Sequence, residues 1–151
     1  MEQRVIRKTN AIKKQLSELE YVIFSFKKQL IEDDCSPEEQ EATFHEITIY
    51  RLKHCIDTFW RYLETYLRDE GFPLEILSPK SMIRTSVRSR LINEEEASSL
   101  MATIEIRNKI ADEENEENPR KITECAPEIF NAMNIIVERL TKRLEDNELG
   151  A

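Results

Sequence analysis

Residues 44–67 read FHEITIYRLKHCIDTFWRYLETYL. Within them Phe44, Thr48, Leu52, Cys55, Phe59, Tyr62 and Tyr66 recur in steps of four and three, flanked by Ile47, Ile56, Leu63 and Leu67. That spacing puts the apolar groups on one face of an α-helix, whereas a half-buried strand would alternate every second residue. No glycine or proline interrupts residues 38–70. Just ahead, Ser36 reads as an N-cap with Pro37 at the first helical position and Glu39 closing a capping box. Just after, Gly71 and Pro73 supply a C-terminal stop. The stretch is a long helix rich in aromatics, and its wide apolar face makes it the central element of a helical protein.

The same period extends on both sides. From Val5 to Leu30 the apolar residues are Val5, Ile12, Leu16, Leu19, Ile23, Phe26 and Leu30, a first long helix with Lys13, Lys14, Glu18, Glu20, Lys27 and Lys28 facing water. Residues 32–37 end it. Ser78-Pro79 opens a shorter helix to about Arg90. Asn93 with Glu96 caps another, which turns Ala97, Leu100, Met101, Ile104 and Ala111 inward. Residues 112–119 are acidic and carry no apolar side chain, so they form an exposed connection. A last helix carries Ile122, Ala126, Ile129, Met133, Ile136, Leu140 and Leu144, with Pro127 either kinking it or marking its first turn. Nothing alternates long enough to be a strand. The expected fold is all-α, an antiparallel bundle of four to five helices in one domain over residues 1–146, with a frayed tail at 147–151. A length of 151 residues with only two glycines and five prolines agrees with this.

Composition excludes several functions. The net charge of −8 rules out a uniformly basic nucleic-acid binder, though not a local basic face. Two glycines leave no room for a glycine-rich phosphate loop. Three positions before His45 and His54 stand Ala42 and Arg51, so the Glu-x-x-His unit of di-iron bundles is missing, and both histidines are expected on the polar side of the central helix. Cys35, Cys55 and Cys125 have no zinc spacing and read as reduced thiols, Cys55 in the core. The acidic run Asp112, Glu113, Glu114, Glu116 and Glu117 lacks the alternating ligands and glycine of a calcium loop. No metal or cofactor is expected. With no apolar run long enough for a membrane span and no apolar leader among Glu2, Arg4, Arg7 and Lys8, the expected location is cytoplasmic.

One segment stands apart. Between Ser78 and Ile92 lie Lys80, Arg84, Arg88 and Arg90 and no acid, a local charge of +4 in a chain of −8. Lys80, Arg84 and Arg88 are spaced by four and stack along one helix face. Such a stripe suits phosphate groups or an acidic patch on a partner, or else is balanced by acids of neighbouring helices.

Four pieces, in order, resemble a known family. Residues 58–67, TFWRYLETYL, followed by Glu70-Gly71, are similar to an aromatic helix of pattern xxWKxLKxYL closed by EG. Residues 78–84, SPKSMIR, are similar to SPRxxIR, and Arg90-Leu91-Ile92-Asn93 to GLID. Arg107-Asn108 falls where the family has RNxxxHxY. The chain thus resembles the small HEPN proteins of the HepT type, once called nucleotidyltransferase substrate-binding proteins. The resemblance implies a helical bundle, usually a homodimer, paired with a minimal nucleotidyltransferase in a toxin–antitoxin system. Active members resemble toxins that cut RNA without a metal, using the motif Arg and His of both protomers. The motif Tyr is the site where the nucleotidyltransferase adds AMP.

The sequence departs from the motif where the chemistry lies. Counted from Arg107, the His position is Asp112 and the Tyr position is Glu114. Metal-free RNA cleavage needs a group that titrates near neutrality and a cation for the developing charge. Arg107 supplies the cation, but Asp112 brings a carboxylate in place of an imidazole and adds like-charge repulsion beside RNA. Glu114 has no phenol to accept AMP. The expectation is a non-catalytic partner with Arg107, Asn108 and Asp112 as a degenerate motif, and Lys80, Arg84, Arg88 and Arg107 facing RNA or nucleotide phosphate or the partner protein. The alternative is a metal-independent ribonuclease that still uses Arg107. As purely structural groups, Arg107 would pair with Asp112 and Asn108 would bond a helix end.

Overall fold

The computed structural model describes residues 3–26, 28, 36–72, 78–112 and 119–150, with side chains to residue 147. The first helix, α1 (Gln3–Tyr21), buries Val5, Thr9, Ile12, Leu16 and Leu19. Its continuation over Val22–Phe26 is a π-helical turn. The wider turn rotates the register, so Val22 is buried, Ile23 and Phe26 are only half-buried and Phe24 is exposed. This corrects the expected seam, which ran straight through Ile23 and Phe26; its last member, Leu30, lies outside the described residues.

Helix α2 (Pro37–Asp69) is the central element. Ser36 Oγ accepts from the Glu39 amide at 3.2 Å, as its N-cap role requires. All seven residues of its seam are buried, with Trp60, Ile56, Leu63 and Leu67 extending the face. It ends in a Schellman motif, in which the Gly71 amide donates to Arg68 O and the Phe72 amide to Leu67 O, both at 3.0 Å. Gly71 has φ +84°, and no atom lies within 4 Å of the place its Cβ would occupy. The backbone angle, rather than lack of space, requires glycine there.

Helix α3 (Pro79–Arg88) starts at Ser78, whose Oγ accepts from the Ser81 amide at 3.1 Å. It closes with a second Schellman motif: Arg90 N donates to Val87 O at 3.0 Å and Leu91 N to Ser86 O at 2.9 Å. Here the left-handed residue is Arg90, φ +59°, where the GLID pattern has glycine. The conformation costs an L-residue roughly 1–2 kcal/mol. Behind it Leu91 and Ile92 drop into the core.

Helix α4 (Glu94–Ala111) opens with the expected capping box, Glu96 N to Asn93 Oδ1 at 2.8 Å and Asn93 N to Glu96 Oε1 at 3.0 Å. It buries Leu100, Thr103 and Ile106. Met101 and Ala111, expected inward, are exposed, and Ala97 and Ile104 are half-buried. The apolar residues of α4 are spread around its circumference, so periodicity does not choose a face, and packing against α5 does.

Helix α5 (Pro119–Gly150) carries its seam as expected, with Ile122, Ala126, Ile129, Met133, Ile136, Leu140 and Leu144 all buried. Pro127 sits inside the helix rather than in its first turn, and helical backbone continues to Gly150. Helix α1 lies along α2, α5 packs against α2 and α4, and α3 joins α4. The result is a helical bundle with no strand among the described residues, built on one core that every helix enters. No described helix is long and apolar enough to cross a membrane.

Candidate functional site

Arg107 projects from the flank of α4, one residue past the buried Ile106, toward α2. Its Nε donates to Asp57 Oδ1 at 2.8 Å and its Nη2 to Asp57 Oδ2 at 3.2 Å, a fork-to-fork pair joining two helices. The side chains remain 27% and 34% exposed, so part of the guanidinium still meets solvent and keeps donors for an anion. The carboxylate that orients Arg107 is therefore Asp57, where the sequence had pointed to Asp112. Asp57 was missed because its partner is fifty residues away. The available signal was an acid placed directly after the buried Cys55 and Ile56.

Asp112 is the C-cap residue of α4 and lies exposed, its own amide donating to Asn108 O at 3.1 Å and Lys109 O at 3.2 Å. That bond makes Asn108 a helix-end acceptor through its carbonyl, while its side chain is exposed. Glu114, at the motif's tyrosine position, lies outside the described residues together with the rest of the acidic run 113–118 and Cys35. At this site, then, a held cation has a carboxylate five residues on, and neither side chain is an imidazole.

The basic stripe is at the surface. Lys80, Arg84 and Arg88 are all exposed on α3, and none has an ion-pair partner among the described residues. Beyond its end, Arg139 of α5 anchors the α3–α4 turn. Its Nη1 donates to Leu91 O at 3.0 Å and to Glu96 Oε1 at 2.8 Å, and its Nη2 to Glu96 Oε2 at 2.6 Å. The Arg139 guanidinium holds the Glu96 carboxyl below its ordinary range, and Glu96 in turn raises Arg139. Glu96 thus caps α4 and ties it to α5 at once, a double role that its place in the capping box did not disclose.

The remaining chemical groups are structural. His45, expected on the polar side, is only 17% exposed and bridges helices, its Nδ1 lying 3.0 Å from Thr123 Oγ1 of α5. Thr123 Oγ1 also donates to Pro119 O at 2.8 Å, and His45 Nε2 lies 3.5 Å from Glu41 Oε1, so the ring is held at both nitrogens. His54 is half-buried, with its ring edge-on to Tyr50 at 4.5 Å. Cys55 is fully buried, and burial pushes its thiol up to about 12, while Cys125 is half-buried.

Comparison with known proteins bears on this arrangement. The family model described as nucleotidyltransferase substrate binding protein like matches residues 8–145. Among solved structures, a protein from Thermus thermophilus is 28% identical with a TM-score of 0.68, covering 85% of this chain and 98% of its own. The tri-AMPylated Shewanella oneidensis HEPN toxin, solved in complex with MNT antitoxin, is 14% identical with a TM-score of 0.67, covering 94% of this chain and 99% of its own. A toxin–antitoxin structure with AMP-PNP is 15% identical at a TM-score of 0.66, covering 93% and 99% respectively. The last two similarities establish the fold alone. No curated protein matches the chain.

Proposed function

The chain belongs to the nucleotidyltransferase substrate binding protein like family, whose model spans residues 8–145, and on that premise we propose that it is a non-catalytic HEPN-type subunit. Its partner is a minimal nucleotidyltransferase, with which it forms a toxin–antitoxin-like pair in the cytoplasm, itself a homodimer. The observation that carries this reading is the Arg107–Asp57 fork, with Nε to Oδ1 at 2.8 Å, followed by a carboxylate at Asp112. The cation that attracts phosphate is kept and oriented. No imidazole stands at the motif position to move a proton at neutral pH. The likeness to a HEPN toxin solved with its MNT antitoxin supports the choice of partner. Lys80, Arg84, Arg88 and Arg107 form the face that meets RNA, nucleotide phosphate or the partner.

A second reading rests on Arg107 itself, which stays partly exposed and is held as a catalytic cation would be. On this reading the protein is a metal-independent ribonuclease. Two experiments separate them. The tagged protein purified from its own cells carries a short nucleotidyltransferase if the first reading holds, and is recovered alone if it fails. Transfer RNA incubated with the pure protein in EDTA stays intact on the first reading. Cleavage that Arg107→Ala abolishes establishes the second.

A further inference from the structure

Between the α3–α4 turn and α5 lies a cavity of about 450 Å³ lined by Arg90, Asn93, Glu94, Arg139 and Arg143 among others. Arg139 is engaged by Glu96 and Leu91 O, so that pair adds no net charge. Arg90 and Arg143 are exposed and have no ion-pair partner among the described residues, and Glu94 is the one carboxylate left on the rim. The balance at the opening is positive. It continues into Arg88, Arg84 and Lys80, along a segment with no acid between Ser78 and Ile92.

Arg90 carries the argument further because of its backbone. It holds φ +59° as the left-handed residue of a Schellman motif, a place where glycine is free of strain and an arginine is not. Nothing in the helix end needs its side chain, since both closing hydrogen bonds are made by main-chain groups. A strained position occupied by a charged side chain that lines a cavity points to a use for that side chain. We infer that Arg90 and Arg143 form a phosphate-binding notch at the C-terminal end of α3. The two guanidinium groups, one from the α3–α4 turn and one from α5, offer planar donor forks suited to phosphate oxygens. The ligand class is a phosphate borne on a nucleoside, either a free nucleotide or the backbone of RNA, and the competition below separates the two. This rests on the reading of the α3 face as phosphate-facing and extends it to two residues outside the stripe.

The test measures binding of inorganic tripolyphosphate, ATP and a short single-stranded RNA to the full chain, alongside thermal melting. Arg90→Gly is expected to melt no lower than wild type, because it removes backbone strain, yet to bind tripolyphosphate at least about tenfold more weakly. Arg143→Ala weakens binding similarly, whereas Lys13→Ala, which removes a charge on α1, changes it less than about twofold. ATP competing with tripolyphosphate identifies a nucleotide site, and RNA competing identifies a backbone site. Binding unchanged in Arg90→Gly overturns the inference, as does binding of the inorganic ion with neither ATP nor RNA competing. Failure to co-purify with a nucleotidyltransferase sinks the proposed partnership and leaves these measurements untouched, so the two are separable.

Discussion

The Glu96–Arg139 pair couples a helix cap to the bundle, and its response to pH follows from the sign of its shift. The Glu96 carboxyl is held below its ordinary value of 4.5, so the folded state favours the ionised form. The stabilisation is complete above that value and is lost as pH falls through the lowered one. Glu96→Gln keeps a polar group in the capping box but loses the ion pair. We expect it to destabilise the protein by about 2 kcal/mol at pH 7, with the gap to wild type closing below about pH 4, as measured by urea unfolding at each pH. A gap constant from pH 7 to pH 3 would show that the charge contributes nothing. The Asp57–Arg107 pair differs in being more open on its carboxylate side, Asp57 being 34% exposed against 17% for Glu96, so solvent screens it more and its importance lies in orientation rather than stability. These two residue pairs join positions fifty and forty-three apart, and no local pattern announces either.

Among the elements, helix ends were more legible than helix faces. The caps at Ser36, Ser78 and Asn93 follow from side-chain chemistry within three residues, and each N-cap bond forms as read. Among the described residues the full capping box forms at Asn93–Glu96 and does not form at Ser36–Glu39, where one was also expected. The two Schellman ends use the same hydrogen bonds but different residues in the left-handed position, Gly71 after α2 and Arg90 after α3. Because open space surrounds the Gly71 Cβ direction, Gly71→Ala isolates the backbone term. It is expected to cost about 1 kcal/mol, read as a fall in thermal midpoint, without change in the circular dichroism of the native state. Faces were harder. The π-helical turn after Tyr21 rotates the seam of α1 by an amount no periodicity anticipates. Helix α4 buries Leu100, Thr103 and Ile106 rather than Met101 because α5 presents its surface on that side.

At the scale of the whole molecule, the core is organised on α2, whose Leu52, Cys55, Phe59, Tyr62 and Leu63 are fully buried. Cys55 reports on that core: with its thiol buried and raised to about 12, it is expected to resist maleimide in the native protein and to label only at the rate of global unfolding. Mass spectrometry of peptides from timed labelling checks this, and rapid modification of Cys55 under native conditions would mean that α2 opens locally. The sequence by itself determined the helical class, the central place of α2, the cap residues and the seams of α2 and α5, because those depend on side-chain period and on bonds reaching three or four residues. It also shows that a carboxylate, Asp112, stands five residues after Arg107, which is a matter of composition at a position. Only the tertiary structure decided which acid holds Arg107, which arginine ties α4 to α5, and that Arg90 carries a left-handed backbone beside a cavity. Those contacts join residues far apart in the chain, and their geometry is set by how the helices pack rather than by any spacing along them.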